Sequence, residues 1–175
     1  KDTFAERSQL QLVGYDSRDG KGERIIWGDR ANYYRPLITP DGEQIVISNR
    51  QTRKIYVIKW AESRPRLLKE PGCATELWQD PNTGKIWVYY QENPKDFTKP
   101  VLRFPIDEPA NVQTVWSSSV IQALPSFQLS RDGKMAASTF PWPISGVAEL
   151  PDVAWRKHRD GCWPAMAPDD SYISW

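Results

Sequence analysis

The chain has 175 residues, of which 39% are hydrophobic, and its 23 basic and 22 acidic residues leave a formal net charge of +1. This balance argues against a disordered chain and against a nucleic-acid binder, which usually carries a concentrated basic surface. No apolar run approaches the length of a membrane-spanning helix. The 15 prolines and 9 tryptophans favour short strands joined by turns and nearly exclude an all-α fold.

In chain order, residues 10–15 and 23–27 predict a hairpin, which would be the outer half of a four-stranded unit. Thereafter four segments repeat one pattern: an apolar stretch, a turn and a second apolar stretch. The first turn is Thr39-Pro-Asp-Gly42, in which Pro presets φ, Asp caps the turn and Gly takes a positive φ. The others centre on Gly84, Gly133 and Asp170. A strand-rich repeat of roughly 40 to 50 residues is the period of a β-propeller blade.

The predicted fold is therefore an all-β propeller of four-stranded antiparallel blades. Residues 1–175 would form one propeller domain or part of one. Its boundaries would be a half blade at 9–28, blades at 35–70, 73–117 and 124–160, and a half blade at 162–175. The two half blades can combine into one shared blade that closes a four-bladed ring. Alternatively, the chain is a segment of a larger ring of roughly six to eight blades, and the end at Trp175, inside an apolar alternation, favours this model and a processed or truncated chain.

The turn and the strand after it carry a family resemblance. Residues 37–48, LITPDGEQIVIS, followed by residues 53–58, RKIYVI, resemble the propeller repeat of TolB-type proteins. Residues 130–135 and 167–173 are similar but weaker, whereas residues 80–84 depart from the family turn. The resemblance covers residues 9–175 and implies the fold rather than one function. Its members are mostly bacterial and include protein-interaction platforms, sugar-processing lyases and peptidase-associated domains. Because many of them are periplasmic or extracellular, the resemblance implies such a location.

Function in a propeller is expected on the face formed by the loops between blades and between second and third strands. The sequence places loops 28–35 and 156–163 there, and both are basic. Arginine suits carboxylate or phosphate, and aromatic rings beside arginine suit an acidic sugar chain or peptide. Arg35, Arg53 and Arg159 would point towards the central axis. The candidate ligand-binding residues are Tyr34, Arg35, Arg53, Glu76, Trp142, Arg159 and Trp163. Alternatively, these charges are solvated and the rings pack between blades.

No catalytic machinery, metal site or cofactor is predicted. His158 is the only histidine, and the nucleophile turn of a serine hydrolase is absent from the sequence. No cysteine and histidine cluster has the spacing of a metal site. Cys73 and Cys162 would occupy equivalent positions on alternate blades, too far apart for a disulfide.

The sequence thus favours a non-catalytic module of a bacterial envelope or secreted protein that binds an acidic oligosaccharide or a peptide at its loop face. One alternative is a lyase acting on acidic polysaccharide, with His158 or Tyr34 as the base. Another is a scaffold that joins protein domains. Another chain or domain would complete the propeller in the larger-ring model. Neither a nucleic acid nor a membrane span is expected.

Overall fold

A computed structural model describes residues 9–93, 96, 98–117, 127–140, 143–152, 154–161, 163–167 and 173–174. All regular elements in these ranges are strands, which confirms the all-β fold class. Consistent with this, a helix suited to crossing a membrane is not found among the described residues. The chain forms two compact units, residues 1–73 and 74–175.

The first unit contains a two-stranded antiparallel sheet and a four-stranded antiparallel sheet, each in chain order. The two-stranded sheet consists of β1 (Leu10–Tyr15) and β2 (Glu23–Ala31). The four-stranded sheet consists of β3 (Tyr33–Ile38), β4 (Gln44–Asn49), β5 (Lys54–Lys59) and β6 (Pro65–Lys69).

The second unit contains two more four-stranded antiparallel sheets and one two-stranded sheet, again in chain order. The first sheet consists of β7 (Cys73–Gln79), β8 (Ile86–Gln91), β9 (Val101–Pro105) and β10 (Gln113–Trp116), and Cys73 also ends the first unit. The second consists of β11 (Gln128–Leu129), β12 (Met135–Thr139), β13 (Ile144–Glu149) and β14 (Ala154–Asp160). The third consists of β15 (Ala165–Met166) and β16 (Ile173–Ser174).

The repeated turn is built from local hydrogen bonds. The Thr39 hydroxyl donates to the Asp41 carboxylate (2.6 Å), which also accepts the backbone N–H of Glu43 (2.9 Å). These bonds hold the pKa of Asp41 below its usual range. Gly42 has a φ of 77°, a conformation that favours glycine because it has no Cβ. The turn from Thr39 to Gln44 can therefore form from its own residues.

Each unit has its own hydrophobic core. In the first unit, Leu12 and Ile26 of the hairpin join Ile45, Ile47 and Ile58 of the four-stranded sheet. In the second unit, the core contains buried side chains from both four-stranded sheets. They are Tyr89, Val101, Val115 and Trp116 from β8–β10, and Leu129, Ala136 and Ala148 from β11–β13, together with Phe127 and Phe140. The sheets of each unit are held together by apolar packing, the dominant favourable contribution to folding.

The predicted loop at residues 28–35 is wrong, because strand continues on both sides of Asn32. β2 runs on to Ala31, and β3 begins at Tyr33. The centre of the Trp27 ring in β2 lies 4.8 Å from the centre of the Tyr33 ring in β3, so aromatic packing joins the two strands. The polar residues between them resemble a loop in the sequence although they belong mostly to strands.

The predicted loop at residues 156–163 is also wrong over most of its length. β14 continues to Asp160, which pairs with Ile144 at the start of β13. Residues 156–160 are exposed on both faces of this edge strand. Such a strand has no apolar alternation, because neither face needs hydrophobic side chains. The proposed half blade at 162–175 and the start of the blade at 124 lie partly outside the described residues.

Candidate functional site

Three connections of the first unit meet at one end of the sheet β3–β6. The backbone N–H of Arg50, after β4, donates to the carbonyl oxygen of Asn32, before β3 (2.9 Å). The backbone N–H of Gly72 donates to the carbonyl oxygen of Arg53, in the β4–β5 turn (2.7 Å). These bonds bring together five residues that we call the arginine cluster: Tyr34, Arg35, Arg50, Arg53 and Cys73.

Tyr34 is the aromatic member of the cluster, and its side chain is buried in β3, with 5% exposed. The Arg50 guanidinium lies 5.1 Å from the centre of its ring, within the range of a cation–π interaction. Burial raises the pKa of Tyr34 to about 12, although the charges of Arg35 and Arg50 act in the opposite direction. The phenol therefore stays protonated near neutral pH.

Arg35 and Arg53 are the two exposed members of the cluster. Both have a positive φ, 24° for Arg35 and 54° for Arg53, a region that non-glycine residues seldom occupy. Arg35 lies where the pairing of β3 with β4 is irregular, between Tyr34 and Leu37. Such outliers cost about 1 to 3 kcal/mol each and concentrate at functional sites. The strain therefore directs attention to these two arginines.

Cys73 is a free thiol that is completely buried at the start of β7. Burial raises the pKa of the Cys73 thiol to about 11, against the opposing effect of the Arg50 and Arg53 charges. A buried thiol that remains protonated is a poor nucleophile, so we assign Cys73 to packing. Cys162 lies outside the described residues, and the absence of a disulfide stays a prediction.

We expect Cys73 to make the protein less stable at alkaline pH. Above its ordinary value of 9.0 the thiol of the unfolded chain loses a proton that the folded chain retains up to about pH 11. Over this interval the folded chain holds more protons than the unfolded chain, so the free energy of unfolding falls as pH rises. Between about pH 8 and about pH 10.5 this contributes a loss of about 2 kcal/mol.

Urea unfolding of the Cys162→Ser protein and of its Cys73→Ala derivative measures this contribution. The difference in free energy of unfolding between the two proteins should shrink over that interval. A difference that does not change with pH would show that the Cys73 thiol has the same affinity for its proton in both states.

The remaining predicted site residues lie in the second unit. Glu76 is half-buried in β7, and its carboxylate accepts the backbone N–H of Leu77 (3.0 Å). His158 and Arg159 are exposed on β14, and Trp163 is 56% exposed. Trp142 lies outside the described residues.

Arg159 was expected to flank the first strand of a blade. It lies instead within β14, the outermost strand of its sheet, because β14 continues through the basic residues. The structure therefore groups Tyr34, Arg35 and Arg53, and the convergence of Arg159 with them stays a prediction. Arg50 and Cys73 are not among the candidate ligand-binding residues named from the sequence. The sequence feature that points to Arg50 is the preceding residue, Asn49. Its side chain accepts the backbone N–H of Gln51 (3.0 Å) and so shapes the turn that carries Arg50.

Metal binding by the described residues and base catalysis by Tyr34 are not supported. Among them, no group of three or more histidine, cysteine, aspartate or glutamate side chains could hold a metal ion. Tyr34 has a raised pKa and a buried side chain, which makes it a poor base near neutral pH. The chemistry that the arginine cluster offers is the binding of anions.

No family model matches this chain, and no curated protein matches it. A solved structure from Agrobacterium tumefaciens, assigned as TolB, superposes with a TM-score of 0.60 at 15% sequence identity. The match covers 86% of this chain and 61% of the other chain. The chain has a TolB-type β-propeller fold. It spans about three fifths of the length of the A. tumefaciens protein.

Two other structures match less well. One is TolB from Acinetobacter baumannii, with 13% identity and a TM-score of 0.44 over 95% of this chain and 56% of the other. The second is a puromycin-hydrolysing peptidase of Mycobacterium tuberculosis, with 18% identity and a TM-score of 0.48. The match covers 78% of this chain and 23% of the other chain. These weaker matches carry no further argument. In the TolB-type fold the four-stranded sheets are blades, whereas the number of blades stays a prediction.

Proposed function

We propose that this TolB-type propeller is a non-catalytic binding module, and that the arginine cluster holds an acidic segment of a partner protein. The observation that carries the proposal is the grouping of three guanidinium groups around the buried Tyr34 and Cys73. Glu70, which precedes Cys73 by three residues, pairs with Lys54 (3.4 Å). The Glu70 charge is thus partly balanced by a residue outside the cluster.

Arg53 is the member best placed to meet a ligand. Its side chain is exposed, and it forms no ion pair within the described part of the chain. A guanidinium group can donate two parallel hydrogen bonds to one carboxylate, which favours acidic ligands in a defined orientation. Arg50 has a different role, because its contact with the Tyr34 ring fixes its position beneath the surface.

A peptide is favoured over a sugar chain by the burial of the aromatic rings. Tyr33 and Tyr34 are each only 5% exposed, so neither ring offers a surface on which a sugar could stack. The guanidinium groups remain suited to glutamate and aspartate side chains. An acidic oligosaccharide, which the sequence also suggested, is therefore a competing outcome of the test.

The proposal includes a location in the bacterial envelope or outside the cell. The TolB-type resemblance of the repeats implies this location, and fractionation of the natural host would test it. The lyase alternative lacks support in the first unit because Tyr34 is unsuited to act as a base. A scaffold that joins domains, or a partner that completes the propeller, would not depend on the arginine cluster.

Calorimetry with a glutamate-rich peptide at low salt tests the proposal. Arg53→Ala should weaken binding by about tenfold, because one charge-assisted contact contributes on the order of 1.5 kcal/mol. Binding should also fall as salt rises, since exposed charges are screened. The matched control is Arg66→Ala, which removes an exposed arginine from β6 in the same unit.

Both variants should melt within a degree or two of the parent, as expected for surface changes. Equal effects of the two variants would reject the arginine cluster as the site. Tighter binding of polygalacturonate than of the peptide would replace the peptide by an acidic glycan. The absence of any heat with either ligand would favour the scaffold.

A further inference from the structure

The outer edge of β14 differs from ordinary exposed strand edges. β14 has the sequence AWRKHRD and ends the sheet order β11-β12-β13-β14. Residues 156–160 are all exposed. Within the described residues no strand pairs with the outer edge of β14. The basic residues Arg156, Lys157 and Arg159 therefore lie along a strand edge that no described strand covers.

The charges of three residues of this strand are not neutralised by an ion pair within the described part of the chain. Arg156, Lys157 and Arg159 form no ion pair with any described residue. The Lys157 ammonium group lies 5.1 Å from the centre of the Trp155 ring, an interaction that leaves its positive charge intact. The basic segment therefore presents a local positive field although the whole chain is nearly neutral.

A bulge distributes these charges to both faces of the strand. Lys157 pairs with Gly146 and Asp160 pairs with Ile144, so His158 and Arg159 together stand opposite Ser145. The Ser145 hydroxyl donates to the Arg159 carbonyl oxygen (2.8 Å), which anchors the bulge. Such bulges re-aim side chains and recur at sheet edges. Basic side chains can thus reach both faces of a strand added alongside.

The outer strands of the other two four-stranded sheets have different sequences. β6 has the sequence PRLLK and begins with a proline, whereas β10 has the uncharged sequence QTVW. β14 has 7 residues, against 5 in β6 and 4 in β10. Natural sheets protect an edge with a short strand, a lysine or a proline, whereas β14 is the longest of the three outer strands and carries three basic residues. Two β14 edges would also repel each other, which argues against a second copy of this chain as the occupant.

We propose that the outer edge of β14 binds an extended acidic segment of a partner protein as an added strand. The charge complementarity selects an acidic partner, and the exposed main chain selects a polypeptide, since only another peptide backbone can pair with its N–H and C=O groups in a ladder. Alternate side chains of the added strand would point to opposite faces and meet basic groups on both. This site belongs to the second unit and is independent of the arginine cluster.

The probe is a synthetic peptide in which Glu alternates with Val, and its binding to the full chain is measured by fluorescence anisotropy at low salt. Its length should match a strand of about 5 to 7 residues. The double variant R156E/K157E should weaken binding by more than about tenfold. R66E/K69E on the outer strand β6 is the matched control and should have less than about a threefold effect. Far-ultraviolet circular dichroism verifies that both variants retain their strands.

A second peptide, N-methylated at alternate residues along one edge, keeps the charge but cannot donate along a strand ladder. Its binding to the parent chain should be lost. Binding of the N-methylated peptide or of polygalacturonate as tight as that of the parent peptide would overturn strand addition. So would equal effects of the β14 and β6 variants, or no binding of the Glu-Val peptide.

The variant R53A separates this proposal from the first one. Binding that is sensitive to N-methylation should persist in R53A and disappear in R156E/K157E. Binding that is insensitive to N-methylation and lost only in R53A would support the arginine cluster and contradict the β14 site.

Discussion

Gly146→Ala should lower the free energy of unfolding by about 2 to 4 kcal/mol, the range expected for strain in a packed interior. Gly146 lies in β13, opposite Lys157 of β14. A Cβ at this position would overlap the carbonyl oxygen of Arg156 and touch the buried Phe140 ring at 3.4 Å. Because the overlap involves backbone, the two strands must separate before the side chain fits.

Urea unfolding measures this effect, and Gly28→Ala is its control. Gly28 lies in β2, and an added Cβ there meets no atom within 4 Å, so its effect should stay within about 0.5 kcal/mol. Gly146→Ala should also abolish peptide binding at the β14 edge and leave binding at the arginine cluster unchanged. If the two variants are equally stable, β13 and β14 approach each other less closely than described.

Gly133→Ala should destabilise the second unit more than Gly84→Ala, although both glycines occupy corresponding turns with nearly equal φ values of 71° and 70°. Both substitutions carry the cost of a left-handed conformation, about 1 to 2 kcal/mol. Only at Gly133 would the new Cβ also meet a ring, lying 2.6 Å from Trp78. The Trp78 indole N–H donates to the Arg131 carbonyl oxygen (2.9 Å), which holds the ring over the turn.

The excess cost of Gly133→Ala over Gly84→Ala should be about 1 to 3 kcal/mol, as for overpacking. A double-mutant cycle with Trp78→Ala checks the cause. Gly133→Ala and Trp78→Ala together should cost less free energy of unfolding than the sum of their separate effects, because they share one contact. Additive effects, or equal costs at Gly84 and Gly133, would mean that the ring yields without cost.

The strand class and the turns were predictable because their causes are local. The turn from Thr39 to Gln44 is closed by hydrogen bonds between residues at most five positions apart. The strand β4 buries three consecutive aliphatic side chains, Ile45, Val46 and Ile47, which a run of Ile and Val residues indicates directly. The resemblance of these turns to TolB-type repeats is matched by the fold of the A. tumefaciens structure.

The membership of the arginine cluster was only partly predictable. Arg35 and Arg53 stood out as basic residues beside turns, and Tyr34 as an aromatic next to them. Whether Tyr34 is exposed depends on packing with residues far away in the sequence, and the structure buries it beside Arg50. Cys73 joins the cluster through the pairing of Gly72 with Arg53. No local pattern encodes such contacts.

The sequence by itself determined the repeat, the turn chemistry and the four-stranded sheets, because hydrophobic alternation and turn residues act over a few positions. Only the tertiary structure decided that residues 157–160 continue the strand β14 and that residues 33–35 do not form a loop. An edge strand exposed on both faces carries no apolar alternation, and its existence depends on backbone pairing with β13. Pairing of this kind is a long-range interaction, so the basic edge of β14 became visible only in the folded chain.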